Sequence, residues 1–167
     1  MISTELSILA RKVVSENIAA GRTVAIAESC TGGMVCAAIT DVAGSSAMFK
    51  YGFVTYGNVA KTDLLKVNNE LIETFGAVSI AVAWAMAQGA LEKSGADVAV
   101  AITGVAGPDG GSEQKPIGTV VFAVAQKGAD PENMLADREY FGAGLTRAQV
   151  REAATLHALK LLLPPLS

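Results

Sequence analysis

The chain is poor in the residue types that most often build catalytic triads and metal centres. It has one histidine and two cysteines in 167 residues. The histidine, His157, falls in a helical pattern, so the sequence does not predict a Ser–His–Asp triad. Cys30 and Cys36 form neither a disulfide framework nor, with one distant histidine, a zinc-binding pattern, and we expect no metal. Reduced thiols are typical of the cytoplasm, where we expect this chain.

Charge is sparse as well. Charged residues make up 17% of the chain, the net charge is -3, and the basic residues are scattered, with Arg11 and Lys12 as their one adjacent pair. Because no basic patch would attract a polyanion, we expect no nucleic-acid partner. The N-terminus carries Glu5 and no basic segment, and no uncharged apolar run reaches the roughly 18 residues of a membrane span. We therefore expect no membrane association.

Apolar residues, in contrast, are abundant, at 51% of the chain. This fraction excludes a disordered or low-complexity protein. The length fits one domain, which we assign to residues 1–167. A homodimer is the expected assembly for a protein of this size.

Hydrophobic periodicity predicts an alternation of helices and strands. The strands are expected over residues 23–27, 49–56, 97–102, 118–125 and 138–141, and the helices over 4–20, 31–42, 58–66, 79–93 and 147–163. The last two strands follow each other without a helix between them. We therefore predict an α/β fold, a three-layer α/β/α sandwich on a mixed, mostly parallel sheet of about five strands.

The segment ESCTGG at 28–33, directly after the first strand, is the first candidate site. In open α/β sheets, ligands bind beyond the carboxyl ends of the strands. Ser29 can act there as a nucleophile, with the free N–H groups at the start of the next helix stabilising negative charge. The alternative is that Ser29 or Thr31 only caps that helix.

A glycine-rich loop at 103–112 follows the third strand. Four glycines stand within eight positions of it, and they allow the backbone to approach a ligand closely. The loop matches neither the P-loop nor the dinucleotide-binding glycine pattern. It is therefore either a ligand-binding loop or a structural turn.

Lys61 is the candidate base. If Asn58 caps the third helix, Lys61 lies in its first turn, where the helix dipole opposes a positive charge. It shares a helix face with Leu64 and Leu65, so burial would also favour the neutral amine and lower the pKa from about 10.4. The alternative is a lysine that extends its ammonium group into water.

Three further polar residues have two interpretations each. Tyr56 ends the second strand, where its phenol either faces the same crevice or is a plain strand-end side chain. Arg147 and Arg151 stand four residues apart at the start of the last helix. They either bind a phosphate together with the helix N-terminus or form a solvated helix face.

Long motifs carry a resemblance to a known family. They are AESCTGG at 27–33, AGSSAMFKYGFVTYGNVAK at 43–61, GAVS at 76–79, TGVAGPDGGSEQKPIGTV at 103–120 and RxxVR at 147–151. In this order they resemble the CinA C-terminal domain family, whose members include nicotinamide mononucleotide amidohydrolases. The motifs cover nearly the whole chain from the first strand to the last helix. One departure is the loop after Phe141, which lacks the aspartate that family members often show before the last helix.

The resemblance implies hydrolysis of the carboxamide of nicotinamide mononucleotide to nicotinate mononucleotide and ammonia, without cofactor or metal. It implies that Ser29 is the nucleophile, that Lys61 is its base and that Tyr56 and Thr103 line the pocket. The residues expected to bind the substrate are Thr31, Gly32, Gly33, Gly104, Gly107 and Arg147. The alternative is a catalytically silent sensing or protein-interaction module linked to competence or DNA damage. Loss of Ser29 or Lys61 would indicate such a module, and both residues are present.

Overall fold

The computed structural model of the chain describes residues 2–133 and 135–165. Its strands are β1 Val24–Glu28, β2 Phe49–Val54, β3 Val98–Gly104, β4 Thr119–Gln126 and β5 Leu135–Tyr140. Its helices are α1 Thr4–Ala19, α2 Met34–Thr40, α3 Asn58–Leu65, α4 Asn69–Phe75, α5 Ile80–Ser94 and α6 Arg147–Leu161, with a 3-10 turn at Ser45–Ala47.

The strands form one mixed sheet in the order β2-β1-β3-β4-β5. β1 is parallel to both of its neighbours, whereas β4 is antiparallel to β3 and to β5. Four of the five strands consequently run in the same direction, and the predicted mixed, mostly parallel sheet is confirmed. Within the described ranges, no helix combines the length and the apolar character that a bilayer crossing requires.

Each face of the sheet is covered by helices, as the alternation of side chains along β1 requires. Val24 and Ile26 belong to the core under α1, α2 and α6. Ala25 and Ala27 belong to the core under α3, α4 and α5, where the small side chains of β1 and β3 let α5 pack close to the sheet. The predicted three-layer sandwich is therefore confirmed.

Strand register determines where the candidate site forms. Glu28 pairs with Val54 of β2 on one side and with Ile102 of β3 on the other. The residues that follow these three are Ser29, Thr55 and Thr103, which therefore lie side by side at the carboxyl edge of the sheet. In an open α/β sheet this edge is the usual place for a ligand.

Several element boundaries differ from those predicted. The second helix begins at Met34 instead of residue 31, because Gly32 and Gly33 have positive φ angles of 58° and 97°, which a right-handed helix does not allow. The N-cap of α3 is Gly57, so Asn58 is the first helical residue. α4 was not predicted, because among its residues only Ile72 is buried and seven residues give little periodicity.

At Gly89, α5 packs directly against the backbone of α3, the helix that carries Lys61. A Cβ atom at Gly89 would lie 2.0 Å from the carbonyl oxygen of Leu65. In an unconstrained helix, replacing glycine by alanine stabilises by roughly 0.5–1 kcal/mol. Here we expect the opposite sign, with Gly89→Ala lowering the free energy of unfolding by about 1–3 kcal/mol through overpacking. Urea unfolding beside Gln88→Ala on the same helix measures this, and an unchanged or raised stability of Gly89→Ala would contradict the contact.

Candidate active site

Ser29 lies at the point where β1 ends and a tight turn begins. Its amide donates to the carbonyl oxygen of Ile102 at 2.9 Å, which extends the β1–β3 pairing by one residue. Its own carbonyl oxygen then accepts from the amide of Gly32 at 3.0 Å, closing the turn. The side chain is only 8% exposed and its hydroxyl faces Lys61.

Lys61 lies in the protein interior with its amine against Ser29. Nζ is 3.1 Å from Ser29 Oγ, 2.9 Å from the carbonyl oxygen of Thr55 and 3.3 Å from that of Tyr56. Two of the three neighbours are carbonyl oxygens, which only accept hydrogen bonds. A neutral amine satisfies both with its two N–H groups and keeps its lone pair for the Ser29 hydroxyl.

Burial disfavours the charged form of this amine. Lys61 is 1% exposed, so the interpretation as a lysine reaching into water is wrong. Desolvation lowers the pKa of Lys61 below its usual value, and the neighbouring Cys30 thiol opposes the shift only in part. Among the described residues, Lys61 forms no ion pair with a carboxylate that would restore its charge. The buried face of α3 is narrower than predicted. Leu65 is buried with Lys61, but Leu64 is 45% exposed.

Glu28 borders this site, and sequence reasoning missed its role there. Its carboxylate is fully buried and accepts from the amides of Gly33, Val35 and Cys36 at 3.0, 3.2 and 2.9 Å. It therefore caps α2 from the end of the preceding strand, and the alternative interpretation, in which Ser29 or Thr31 caps this helix, is wrong. A charged residue at the end of a continuous apolar strand was the available signal, because a buried carboxylate needs nearby donors.

The N–H groups free to stabilise negative charge are not at the helix start, where they were expected, but in the preceding turn. The first amides of α2 are already bonded: that of Met34 donates to the Thr31 carbonyl oxygen, and those of Val35 and Cys36 donate to Glu28. Within residues 2–133 and 135–165, the amides of Cys30 and Thr31 donate to no protein acceptor. These two amides directly follow the candidate nucleophile.

Cys30 is not a competing nucleophile. Its side chain is 5% exposed, and burial raises the pKa of its thiol to about 12. Because the thiolate is the reactive form of cysteine, a thiol with this pKa is unreactive at neutral pH. Ser29 is therefore the better candidate at this edge of the sheet.

A cavity of about 220 Å³ opens above the Ser29–Lys61 pair. It is bounded by the ends of β1 and β3, by the start of α3 and by the last helix. Its lining includes Ser29, Cys30, Tyr56, Asn58, Lys61, Ala77, Thr103, Gly104 and Arg147. The structure thus brings Ser29, Tyr56, Lys61 and Thr103 to one cavity, together with Gly104 and Arg147. The other predicted substrate-binding residues, Thr31, Gly32, Gly33 and Gly107, do not line it.

Thr103 and Tyr56 bound this cavity at different depths. Thr103 is 1% exposed, and its hydroxyl donates to the carbonyl oxygen of Ala77 at 2.9 Å, which leaves oxygen lone pairs to accept a hydrogen bond. Tyr56 is 57% exposed at the mouth. Its hydroxyl accepts from Arg147 Nη2 at 2.6 Å.

The two arginines of α6 have different surroundings. Arg147 reaches the cavity mouth and also donates to the carbonyl oxygen of Gly107 at 2.5 Å. Arg151 does not line the cavity, and donates instead to the carbonyl oxygens of Cys30 and Thr31. The structure therefore does not bring the two guanidinium groups together on one ligand position.

Packing leaves no room for a side chain at two glycines of the glycine-rich loop. A Cβ at Gly104 would lie 2.8 Å from a methyl group of Val120, and one at Gly107 would lie 2.7 Å from a methyl group of Ile117. Gly107 also has a φ of 83°. A second cavity of about 350 Å³ adjoins the first beyond this loop, and both cavities share Ala106 and Arg147.

A larger cavity, of about 520 Å³, is bounded by Arg22, Phe122 and Lys160. None of the predicted site residues lines it. It therefore plays no part in the chemistry considered for Ser29 and Lys61.

Comparison with known proteins identifies the family. A family model described as the CinA C-terminal domain matches residues 6–166. The chain belongs to the CinA C-terminal domain family. The resemblance inferred from the motifs is thus confirmed. A solved relative, the competence/damage inducible protein CihA from Agrobacterium tumefaciens, shares 43% identity with a TM-score of 0.91 and covers 97% of this chain and 96% of its own.

Relatives of two lengths share this domain. Nicotinamide-nucleotide amidohydrolase PncC from Escherichia coli (strain K12) is 49% identical over 162 residues, which is 97% of this chain and 95% of that protein. A putative competence-damage inducible protein from Symbiobacterium thermophilum is 52% identical over 147 residues, which is 85% of this chain. This chain spans only 34% of the latter protein's length, so it resembles one part of that protein.

The cap that Glu28 places on α2 predicts a stability effect. In Glu28→Gln, an amide NH₂ group replaces one acceptor oxygen in front of three N–H donors, and the negative charge is lost. We expect the free energy of unfolding to fall by about 1–3 kcal/mol. The matched control is Glu113→Gln in an exposed loop, where we expect a change within about 0.5 kcal/mol. Equal urea midpoints for the two variants would contradict the capping role.

Proposed function

We propose that this chain is an amidohydrolase that converts nicotinamide mononucleotide to nicotinate mononucleotide and ammonia, with Ser29 as nucleophile and Lys61 as base. The observation that carries the proposal is the 3.1 Å contact between the buried Lys61 Nζ and Ser29 Oγ. A serine hydroxyl is a weak nucleophile until a base takes its proton. The relative from Escherichia coli that is named nicotinamide-nucleotide amidohydrolase matches nearly the whole chain, which supports this substrate.

In the first half of the reaction, Ser29 Oγ attacks the carbon of the carboxamide while its proton passes to the Lys61 amine. The carbonyl oxygen becomes an oxyanion. The free amide of Cys30, a residue that lines the cavity, is its first available donor, and the Thr31 amide, next in the turn, is the second. The Lys61 ammonium then gives its proton to the departing nitrogen. Ammonia leaves, and the nicotinoyl group remains as an ester on Ser29.

In the second half, a water molecule replaces ammonia. Lys61, neutral again, takes a proton from this water as its oxygen attacks the ester carbon. The same amides stabilise the second oxyanion. Lys61 returns the proton to Ser29 Oγ, and nicotinate mononucleotide is released, so the cycle uses only side chains, backbone amides and water.

The remaining residues of the cavity suit the other parts of the substrate. The lone pairs of the Thr103 hydroxyl can accept a hydrogen bond from the carboxamide NH₂ group. Arg147 lies between the two adjoining cavities, where its guanidinium can bind the phosphate of the nucleotide. Tyr56 holds that guanidinium at the mouth.

Replacement of the nucleophile tests the proposal most directly. Ser29→Ala should reduce ammonia release from nicotinamide mononucleotide by at least about a thousandfold, because no hydroxyl remains to form the ester. The fold should persist, because Glu28 and not Ser29 caps α2. Ser45→Ala is the matched control, since Ser45 is also 8% exposed and lies away from the cavity. Wild-type ammonia release by Ser29→Ala would contradict the nucleophile assignment.

The lowered pKa of Lys61 predicts the pH dependence of the reaction. Below its pKa, Lys61 is protonated and cannot accept the Ser29 proton, so kcat/KM should rise with pH as one proton is lost. The midpoint should lie below the ordinary pKa of a lysine side chain, because burial lowers the pKa of Lys61.

A charge-preserving substitution separates proton transfer from electrostatics. Arginine keeps the positive charge but does not give up its proton, so Lys61→Arg should lose activity by at least about a hundredfold. Lys93→Arg, at an exposed position of α5, should retain activity. If Lys61→Arg deamidates the nucleotide at a substantial rate, Lys61 acts only through its charge.

A further inference from the structure

We propose that Arg151 is a positioning residue that orients the backbone amides next to Ser29 for stabilisation of the oxyanion. This inference rests on the proposed function, because the oxyanion arises only if Ser29 attacks the carboxamide. It separates the roles of two arginines that stand one helical turn apart. Arg147 faces the cavity, whereas Arg151 holds the backbone behind the nucleophile.

The first contact orients the amide of Thr31 directly. Arg151 Nε donates to the carbonyl oxygen of Cys30 at 3.1 Å. This carbonyl and the Thr31 N–H belong to the same planar trans peptide unit, so the two groups point in opposite directions. The contact therefore turns the Thr31 N–H away from the guanidinium.

The second contact reaches the amide of Cys30 through one intervening peptide unit. Arg151 Nη2 donates to the carbonyl oxygen of Thr31 at 2.9 Å. The N–H of that unit belongs to Gly32 and donates to the carbonyl oxygen of Ser29 at 3.0 Å. The Ser29 carbonyl shares its peptide unit with the Cys30 N–H, so the direction of this amide is also determined.

Two side chains of opposite charge, Glu28 and Arg151, bind the backbone in and directly after this turn. The Glu28 carboxylate binds N–H groups after the turn, and the Arg151 guanidinium binds carbonyl oxygens within it. Gly32 leaves room for this guanidinium, because a Cβ there would lie 3.3 Å from Arg151 Nη2. Because its Nε and Nη2 both donate to backbone carbonyl oxygens, Arg151 stabilises the conformation of the turn.

The guanidinium suits this role because of its planar fork. Its N–H groups have a fixed mutual geometry that matches two acceptors at once, whereas a lysine ammonium is a point charge on a flexible stem. The neighbours of Arg151 on α6 are anchored, since Val150 and Ala154 are both fully buried. The direction of the two amides thus depends on a rigid helix and not on the turn alone.

Steady-state kinetics of purified variants with nicotinamide mononucleotide test the inference. Oxyanion donors act in the transition state and contribute little to binding of the ground state. We therefore expect Arg151→Ala to lower kcat by about a hundredfold, the usual effect of losing one such donor, with KM changed less than about threefold. Arg147→Ala is the control on the same helix, and there we expect KM to rise more than kcat falls.

Arg151→Lys keeps the charge and the aliphatic stem, and we expect it to lower kcat by about tenfold at unchanged KM. This variant decides the question if Arg151→Ala does not fold in a thermal melt. A kcat within about threefold of wild type in the folded alanine variant, or in the lysine variant where alanine does not fold, would overturn the inference. A rise in KM comparable to the fall in kcat would also overturn it, because Arg151 would then serve substrate binding.

The Ser29→Ala variant distinguishes a wrong role for Arg151 from a wrong proposed function. If Ser29→Ala is inactive and Arg151→Ala turns over at the wild-type rate, only the role of Arg151 is wrong. If Ser29→Ala releases ammonia normally, the proposed function fails, and the inference about Arg151 fails with it.

Discussion

A lysine amine enclosed in the protein core, in contact with one serine hydroxyl and two carbonyl oxygens, is the interaction on which the proposed chemistry depends. Removal of water lowers the pKa of Lys61, and among the described residues no carboxylate pairs with it. In its neutral form this amine is a base, which a chain with one histidine can still provide. The end of β1, the residues after β2 and the first turn of α3 together bury this amine and bring it to Ser29.

The turn that carries Ser29 is held by its surroundings more than by its own sequence. The buried Glu28 carboxylate binds the amides of α2 after the turn, and Arg151 binds two carbonyl oxygens inside it. The amides of Cys30 and Thr31 are then the donors that remain. The charged groups of Glu28 and Arg151 thus both bind backbone around Ser29, and neither is directed to the substrate.

Small side chains make this arrangement compact. Ala25, Ala27 and the alanines of β3 let α5 lie close to the sheet, and Gly89 lets α5 touch the backbone of α3. The position of Lys61 therefore depends on contacts far from its amine. Because the interior is close-packed, a methyl group added at Gly89 would push α5 and α3 apart.

The sequence alone determined the order of layers, the mixed sheet and the candidate residues, because buried strands and amphipathic helices leave periodic patterns and the family motifs are long. It placed Ser29, Tyr56, Lys61 and Thr103 after or near strand ends, and it left open whether Ser29 capped a helix and whether Lys61 reached water. Those alternatives depend on what lies across the sheet: the strand register, the packing of α3 against α5 and the donors around Glu28. The division between Arg147 at the cavity and Arg151 behind the turn was likewise decided by tertiary structure, because a spacing of four residues places both arginines on one helix face but does not say which partner each one meets.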